Sequence, residues 1–287
     1  MSTAVAITAT PATPRLLWLD LTRKCQLNCT HCYNASGPKG THGAMSREDW
    51  TSVLDQAAKM GVGHVQFIGG EPTLHPDFEA LTSHALSLDL KTEVYSNLVH
   101  VSASRWELFQ HDGLSLATSY YSANAREHNA MTGRRSHSRT RANIEKAVRL
   151  GIPLRAGIVA ATDQQITEAR RDLETLGVKR IGADRIRPFG RAGNDQEPQT
   201  ANLCGRCGSG AAAINPDGTV SPCVFSTWIK TGSVRDSALT AILGGAAMTR
   251  ANTSIRESAR MDACRPACDP NAECTPGFPG TECDPKN

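Results

Sequence analysis

The chain is expected to be an α/β protein, a partial (β/α)6 TIM-like barrel followed by a small cysteine-rich α+β C-terminal domain. From Leu16 to about Arg187, short apolar runs alternate with amphipathic stretches, the pattern of βα units on a parallel sheet. Glycine-rich or polar loops follow the apolar runs, where βα barrels carry their functional groups. Seven of the ten cysteines lie at Cys204 or beyond it. The expected divisions are a disordered tail over 1–14, the barrel over 15–193 and the cysteine domain over 194–287.

Taken in order, Leu16–Leu21 is the first expected strand, followed by a polar, glycine-rich loop from Tyr33 to Ala44. Ser46 with Asp49 signals a helix start. Trp50, Val53, Leu54 and Ala57 supply its apolar stripe, and Gly61 its end. His64–Ile68 is the second strand, and Pro76–Leu88 a helix opened by its proline. Lys91–Tyr95, Leu114–Tyr120, Leu154–Ala160 and Arg180–Ile186 are strands three to six. Helices are expected over Ser104–Gln110, Arg139–Leu150 and Ile166–Leu176. Beyond a polar linker, Asn194–Asn202, the turn Asn215-Pro216-Asp217-Gly218 joins Ala211–Ile214 to Thr219–Val220 as a hairpin. Ser237–Ala247 is expected as one helix.

With 287 residues the chain has ample core to bury, and a formal net charge of +3 is too small to argue for nucleic acid or an anionic membrane. No apolar window is long enough to span a bilayer, and the N-terminus has no secretory pattern. Ten cysteines without such a signal point to thiolates kept reduced on metal in the cytoplasm rather than to a disulfide scaffold.

The densest chemistry lies in Cys25-Gln26-Leu27-Asn28-Cys29-Thr30-His31-Cys32, directly after the first strand. Three thiols on one tight loop can ligate three irons of a [4Fe–4S] cluster and leave the fourth open. A zinc site or a disulfide pair is the alternative, and zinc would need a fourth protein ligand. The second strand runs into Gly69-Gly70-Glu71-Pro72, which by itself would be a tight turn. Together the CxxxCxxC loop and this GGEP element resemble the radical S-adenosylmethionine (SAM) superfamily.

That resemblance implies that SAM chelates the open iron and is cleaved by one electron to a hydrogen-abstracting 5′-deoxyadenosyl radical, with the cofactors carrying the chemistry. It also implies that His31 lies beside the adenine and that Gly69, Gly70 and Glu71 lie against the SAM amino group. Ser96 and Asn97 would lie near ribose or methionine, Ser119 at the ribose or carboxylate, and Arg139 at the carboxylate. Turn-capping and surface roles are the alternatives for the last four residues. The Ile186–Ala192 stretch resembles the barrel's end in relatives with a C-terminal cluster domain; its arginines either reach an anionic substrate group or lie on the surface. Tyr120 and Tyr121 face opposite sides of their strand, so at most one enters the barrel.

From Cys207 there are ten residues to Gly218 and four more to Cys223, a spacing that resembles SPASM and twitch auxiliary cluster domains. The closing run Cys264, Cys268, Cys274 and Cys283 follows that pattern only in part, with Phe278 where a further cysteine would stand. Two auxiliary clusters are the preferred reading, Cys204, Cys207 and Cys223 on one and the closing four on the other. One cluster with spare thiols, or a structural zinc, stays open. The function this implies is radical modification of a ribosomally made peptide by crosslinking, epimerisation or oxidation. Radical oxidation or rearrangement of a sugar, aminoglycoside or nucleoside is the alternative, and a non-catalytic zinc or iron–sulfur module the third reading. An external flavodoxin- or ferredoxin-type donor is expected. The short stretch before the first strand leaves leader recognition to a separate protein or to direct binding. Asp112, Tyr120, Tyr121, His128 and Cys283 are all candidate hydrogen or proton partners, unranked by the sequence.

Overall fold

The computed structural model describes residues 14–205 and 210–258. The chain runs through β1 (Leu16–Asp20), α1 (Arg47–Lys59), β2 (His64–Ile68), α2 (Phe78–Ser87), β3 (Lys91–Tyr95), α3 (Ala103–Phe109), β4 (Leu114–Tyr120), α4 (Ala125–Thr132), α5 (His137–Arg149), β5 (Leu154–Ala160), α6 (Asp163–Thr175) and β6 (Arg180–Arg185). It continues through β7 (Ala211–Ile214), β8 (Thr219–Ser221), β9 (Gly232–Ser233), α7 (Leu239–Leu243) and α8 (Ala246–Ser258). All six expected barrel strands form, four of them with the expected bounds, because each is an apolar run too short for a helix and bounded by turn residues.

One sheet carries every strand of the described residues, in the order β6-β5-β4-β3-β2-β1-β7-β8-β9, with β1 to β7 parallel and the last two antiparallel. It stays open, with β6 at one edge and β9 at the other. The expected hairpin of the C-terminal part is therefore no separate sheet. Ala211–Ile214 pairs with Leu16–Leu19 in register and extends the barrel sheet past its first strand.

Alternation along each strand sorts side chains to two faces. Leu17, Leu19, Phe67, Val94, Leu116 and Ile158 pack outward against Trp50, Leu54, Leu81, Phe109, Ile144 and Leu173 of the helices. Leu16, Trp18, Ile68 and Ala213 face inward and meet Phe189, Leu203, Val224 and Ile255 from the C-terminal side. The inner face is thus the one the two halves of the chain share.

Local chemistry explains where helices begin. Ser46 and Asp49 close a reciprocal capping box at α1. Pro76 does not open α2. Pro72 instead opens a short 3-10 turn, Pro76 holds His75 extended, and the helix starts at Phe78. The expected helix over Ser237–Ala247 is two, α7 and α8, interrupted at Gly244-Gly245. The short helix α4 was not expected, because its Ala-Arg-Glu-His-Asn-Ala-Met-Thr sequence lacks an apolar stripe. Its signal lies in its caps: the Asn124 side chain accepts from the Arg126 and Glu127 amides, and Gly133 ends it at φ +66°.

Candidate metal and cofactor site

At the C-terminal ends of the strands lies an open cavity, about 1150 Å³ of space with its solvent-filled mouth included. Cys25, Cys29 and Cys32 line it. So do five of the eight residues expected at SAM: His31, Gly69, Gly70, Asn97 and Ser119. The other three do not. Glu71 and Ser96 are buried behind the wall, and Arg139 is exposed on α5.

The cysteine loop makes hydrogen bonds of its own, Cys32 to the Cys29 carbonyl (3.3 Å) and Cys25 to the Gly37 carbonyl (3.1 Å), and is also held by its neighbours. Gly70 donates its amide to the Thr22 carbonyl (2.7 Å) and Glu71 to the Lys24 carbonyl (2.9 Å). A Cβ on Gly70 would sit 2.4 Å from the Lys24 oxygen, and one on Gly69, at φ +138°, 2.6 Å from the Thr22 oxygen. The two glycines are therefore required first by the seating of the loop, a reason the sequence did not suggest. The Glu71 carboxylate accepts from Thr73, from the Ser96 hydroxyl (2.9 Å) and from the Asn97 amide (2.8 Å), locking the end of β3 to the GGEP turn.

Two further supports were not legible in the motifs. Asn28 and Thr30 donate their amides to Thr132 and Met131 at the end of α4 (3.0 and 2.9 Å). Arg191 donates to the Cys29 carbonyl (2.6 Å) and the Ser36 carbonyl (2.8 Å), so this arginine of the Ile186–Ala192 stretch grips the loop. Arg187 lines the cavity beside Asp184, to which it donates at 3.2 Å.

Burial and the Glu71 carboxylate push the Cys25 thiol up to about 12, and burial with Cys32 pushes Cys29 up to about 11. Three thiolates at this spot need a bound cation. Among the described residues no three His, Cys, Asp or Glu side chains converge on one point as a single metal ion requires. Burial and Arg191 lower His31 to about 4, leaving a neutral ring edge-on to Tyr121 at 4.8 Å. Buried Trp18 Nε1, His31 Nδ1, Tyr33 Oη and Ser36 Oγ, all on cavity-lining residues, have no protein partner. Unpartnered buried polar atoms are costly, and here they suit a polar cofactor. The thiol set, the close-packed glycines and these atoms fit a three-cysteine cluster with a nucleoside cofactor beside it.

Tyr121 lines the cavity, while Tyr120 faces the helices, where it meets His137 (3.0 Å) and Asp172. His128 is buried between the two tyrosines, with ring centroids at 5.4 and 5.2 Å. Asp112 is exposed in the turn before β4, outside the cavity wall. Tyr95, unforeseen, joins the wall and meets Ser119 Oγ at 3.1 Å.

The C-terminal part reaches the same cavity through Val224 and Phe225. Cys223 is buried in the turn just before them and accepts from the Phe225 amide at 3.2 Å; Cys204 packs against the same apolar cluster. Tyr33, next to Cys32, touches Phe225 edge-on at 4.8 Å, joining the two cysteine sites through rings. Cys207, Cys264, Cys268, Cys274 and Cys283 lie outside the described residues.

The sequence profile of the radical SAM superfamily matches residues 19–176, and that of SPASM, an iron–sulfur cluster-binding domain, matches residues 204–269. The PqqA peptide cyclase of Gluconobacter oxydans is 40% identical over 89 residues, 31% of this chain and 24% of that protein. That of Streptomyces rochei is 29% identical over 174 residues, 60% of this chain and 47% of that protein. The chain thus spans about half or less of the length of these relatives. The crystal structure of Streptococcus suis SuiB bound to precursor peptide SuiA shares the fold with a TM-score of 0.73 at 17% identity, over 95% of this chain and 76% of that one. With its profile matched over more than half of its length, the chain belongs to the radical SAM superfamily and carries a SPASM domain on its C-terminal side.

Proposed function

We propose that this chain is a radical SAM enzyme that modifies a ribosomally made peptide by crosslinking, epimerisation or oxidation. The observation that carries the reading is a single cavity lined by the three-cysteine loop on one side and by Val224 and Phe225, next to Cys223, on the other. The similarity to PqqA peptide cyclases and to the fold of peptide-bound SuiB supports a peptide rather than a small molecule.

In this reading Cys25, Cys29 and Cys32 would hold a [4Fe–4S] cluster, with His31, Gly69, Gly70 and Ser119 around the SAM beside it. The cluster and SAM supply a one-electron cleavage and a hydrogen-abstracting 5′-deoxyadenosyl radical. The protein positions the substrate and keeps water from the reacting carbon: Trp18, Ile68, Val159, Val224 and Phe225 give the cavity an apolar side. Arg187, held by Asp184, leaves a polar rim at the mouth that suits peptide backbone or an acidic side chain. Cys204, Cys207 and Cys223 belong to an inner auxiliary cluster, and Cys264, Cys268, Cys274 and Cys283 to an outer one. Such an inner cluster would supply an acceptor for the electron that substrate oxidation releases, and the Tyr33–Phe225 contact lies between its cysteines and the three-cysteine loop. A flavodoxin- or ferredoxin-type protein supplies the reducing electron, and leader recognition is direct or through a separate protein. The cytoplasm, where thiols stay reduced, is the fitting compartment.

The test begins with iron content after anaerobic reconstitution of the full chain and of Cys25→Ala/Cys29→Ala/Cys32→Ala. About twelve irons falling to about eight supports three clusters, and about eight falling to about four supports one auxiliary cluster. Zinc with no iron overturns the reading. The loaded protein is then given SAM, dithionite and the peptide encoded by a short reading frame adjoining the gene. The expected result is 5′-deoxyadenosine with a two-hydrogen mass loss or solvent-deuterium uptake in the peptide. 5′-Deoxyadenosine with an unmodified peptide, and turnover of a sugar or nucleoside instead, overturns the peptide assignment.

A further inference from the structure

Asn97 lies at the end of β3, where every one of its polar groups has a partner. Its amide donates to Glu71 (2.8 Å), and its carbonyl accepts from the Thr140 hydroxyl (3.0 Å). Its side-chain oxygen accepts from Gln26 Nε2 (3.0 Å) and from the Val99 amide (3.0 Å). With two N–H donors on that oxygen, the orientation of the amide is fixed by the network. The remaining group, Nδ2, points at the Cys25 sulfur at 3.7 Å. The next residue, Leu98, is held at φ +54°, a conformation disfavoured for leucine, by hydrogen bonds from its amide to Ser96 Oγ (3.1 Å) and from Asn143 to its carbonyl (2.7 Å). The fold thus sustains local strain at the residue that follows Asn97.

We propose that Asn97 is a positioning residue for the cluster, its side-chain N–H donating to the Cys25 sulfur and raising the cluster's reduction potential, rather than a ligand of SAM. The physical reason is charge. The reduced cluster carries one more negative charge, spread over its sulfurs, and a hydrogen bond to a ligating sulfur stabilises that state more than the oxidised one. Gln26 sets the geometry by pinning the Asn97 oxygen, which makes it part of the same device although it touches no reacting group. The Leu27 amide donates to the same sulfur at 3.4 Å and is common to all side-chain variants. The proposal rests on the assignment of Cys25 as a cluster ligand.

The two roles separate in a measurement without SAM. The full chain, Asn97→Leu and Gln26→Met are reconstituted anaerobically, their iron is counted, and the midpoint of the three-cysteine cluster is titrated by electron paramagnetic resonance with no SAM present. SAM affinity is measured separately by equilibrium dialysis. The expected result is equal iron and a midpoint shifted to more negative potential in Asn97→Leu, with a smaller shift of the same sign in Gln26→Met. An unshifted midpoint in Asn97→Leu together with weakened SAM binding assigns Asn97 to SAM and overturns the proposal. If Asn97→Leu loads less iron, Gln26→Met decides alone, and an unshifted midpoint there overturns it. Absence of iron at the three cysteines of the unaltered chain is a different failure, that of the cluster assignment itself.

Discussion

Replacing Arg155 by Met tests the interior beneath the cavity. Arg155, on β5, is 1% exposed and donates from Nε (2.8 Å) and Nη2 (2.7 Å) to the Glu93 carboxylate on β3, itself 5% exposed. Gln66, on β2, adds a third donor to that carboxylate. The guanidinium also lies 5.3 Å from the centre of the Tyr95 ring, so the pair supports the cavity wall. Burial alone would raise the Glu93 pKa, but the charge and hydrogen bonds of Arg155 outweigh it and hold the carboxyl below its usual range. Removing Arg155 leaves a buried carboxylate with one amide donor, and breaking such a pair costs about 3–5 kcal/mol. Against a total stability of about 5–15 kcal/mol, that is a large fraction, equivalent to roughly 6–20 °C in Tm. The assay is urea and thermal unfolding of the full chain under anaerobic conditions. The double variant Glu93→Leu/Arg155→Met should recover all but the roughly 1–3 kcal/mol that an unpartnered Gln66 amide costs. Acid supplies a second readout. In Arg155→Met the carboxyl of Glu93 is raised above its unfolded value, so the folded state binds the extra proton and the deficit narrows as pH falls from 7 toward 5. A single variant within about 1 kcal/mol of the parent, with no gain in the double variant, refutes the argument.

Three shorter predictions follow from other contacts. Gly70→Ala would place its Cβ 2.4 Å from the Lys24 carbonyl oxygen, so the three-cysteine site should lose most of its iron after reconstitution while the auxiliary iron is retained; a full complement would refute the seating role. Gly133→Ala, at φ +66° with its Cβ 2.7 Å from the Asn28 oxygen, should destabilise by about 1–3 kcal/mol in urea melts and slow cluster assembly, because α4 ends against the cysteine loop. His128, 1% exposed, is lowered to about 4 by burial and then by His137, against 6.5 unfolded. Between those values only the unfolded state takes up the proton, so stability falls with pH, by about 2 kcal/mol from pH 6.5 to 5, and His128→Gln should show a shallower slope in urea midpoints.

The barrel was legible because its strands are short apolar runs and its caps are chemical signals. Ser46 with Asp49 named the start of α1, and Asn215–Gly218 named the turn that links β7 to β8. The cysteines and glycines were legible because sulfur ligation and close backbone approach admit few residue types. The supports were not. Arg191 looks like any surface arginine until its guanidinium is found on the Cys29 and Ser36 carbonyls. The end of α4 acts through backbone carbonyls of Met131 and Thr132, which no side-chain pattern encodes. Glu71 and Ser96, expected beside SAM, are buried and hydrogen-bond each other and their neighbours behind the cavity wall, contacts that no sequence pattern encodes. The pairing of β7 with β1 escaped notice because a four-residue apolar run specifies a strand and not its neighbour.

That pairing changes how the two halves of the chain depend on each other. The loop after the cysteine motif is anchored by Ala44 and Met45, whose amides both donate to the Pro216 carbonyl (2.9 and 3.1 Å) in the turn beyond β7. A Cβ on Gly43, at φ +81°, would sit 2.1 Å from that same oxygen. Arg23, ion-paired to the fully buried Asp20, also reaches Asn215 at 3.5 Å. The cysteine loop is thus tied to β2, to the end of α4, to Arg191 and to the β7–β8 turn, four attachments spread from residue 70 to residue 216. An irregular loop that holds three thiols close together is costly to order, so its geometry must be set by surroundings that order with the rest of the fold. The turn that positions this loop also leads through β8 to Cys223, so backbone hydrogen bonds and one aromatic contact connect the two cysteine sites. The spacing of the described cysteines in the two sites is thus set by contacts of the fold itself, through the Pro216 carbonyl and the Tyr33–Phe225 rings.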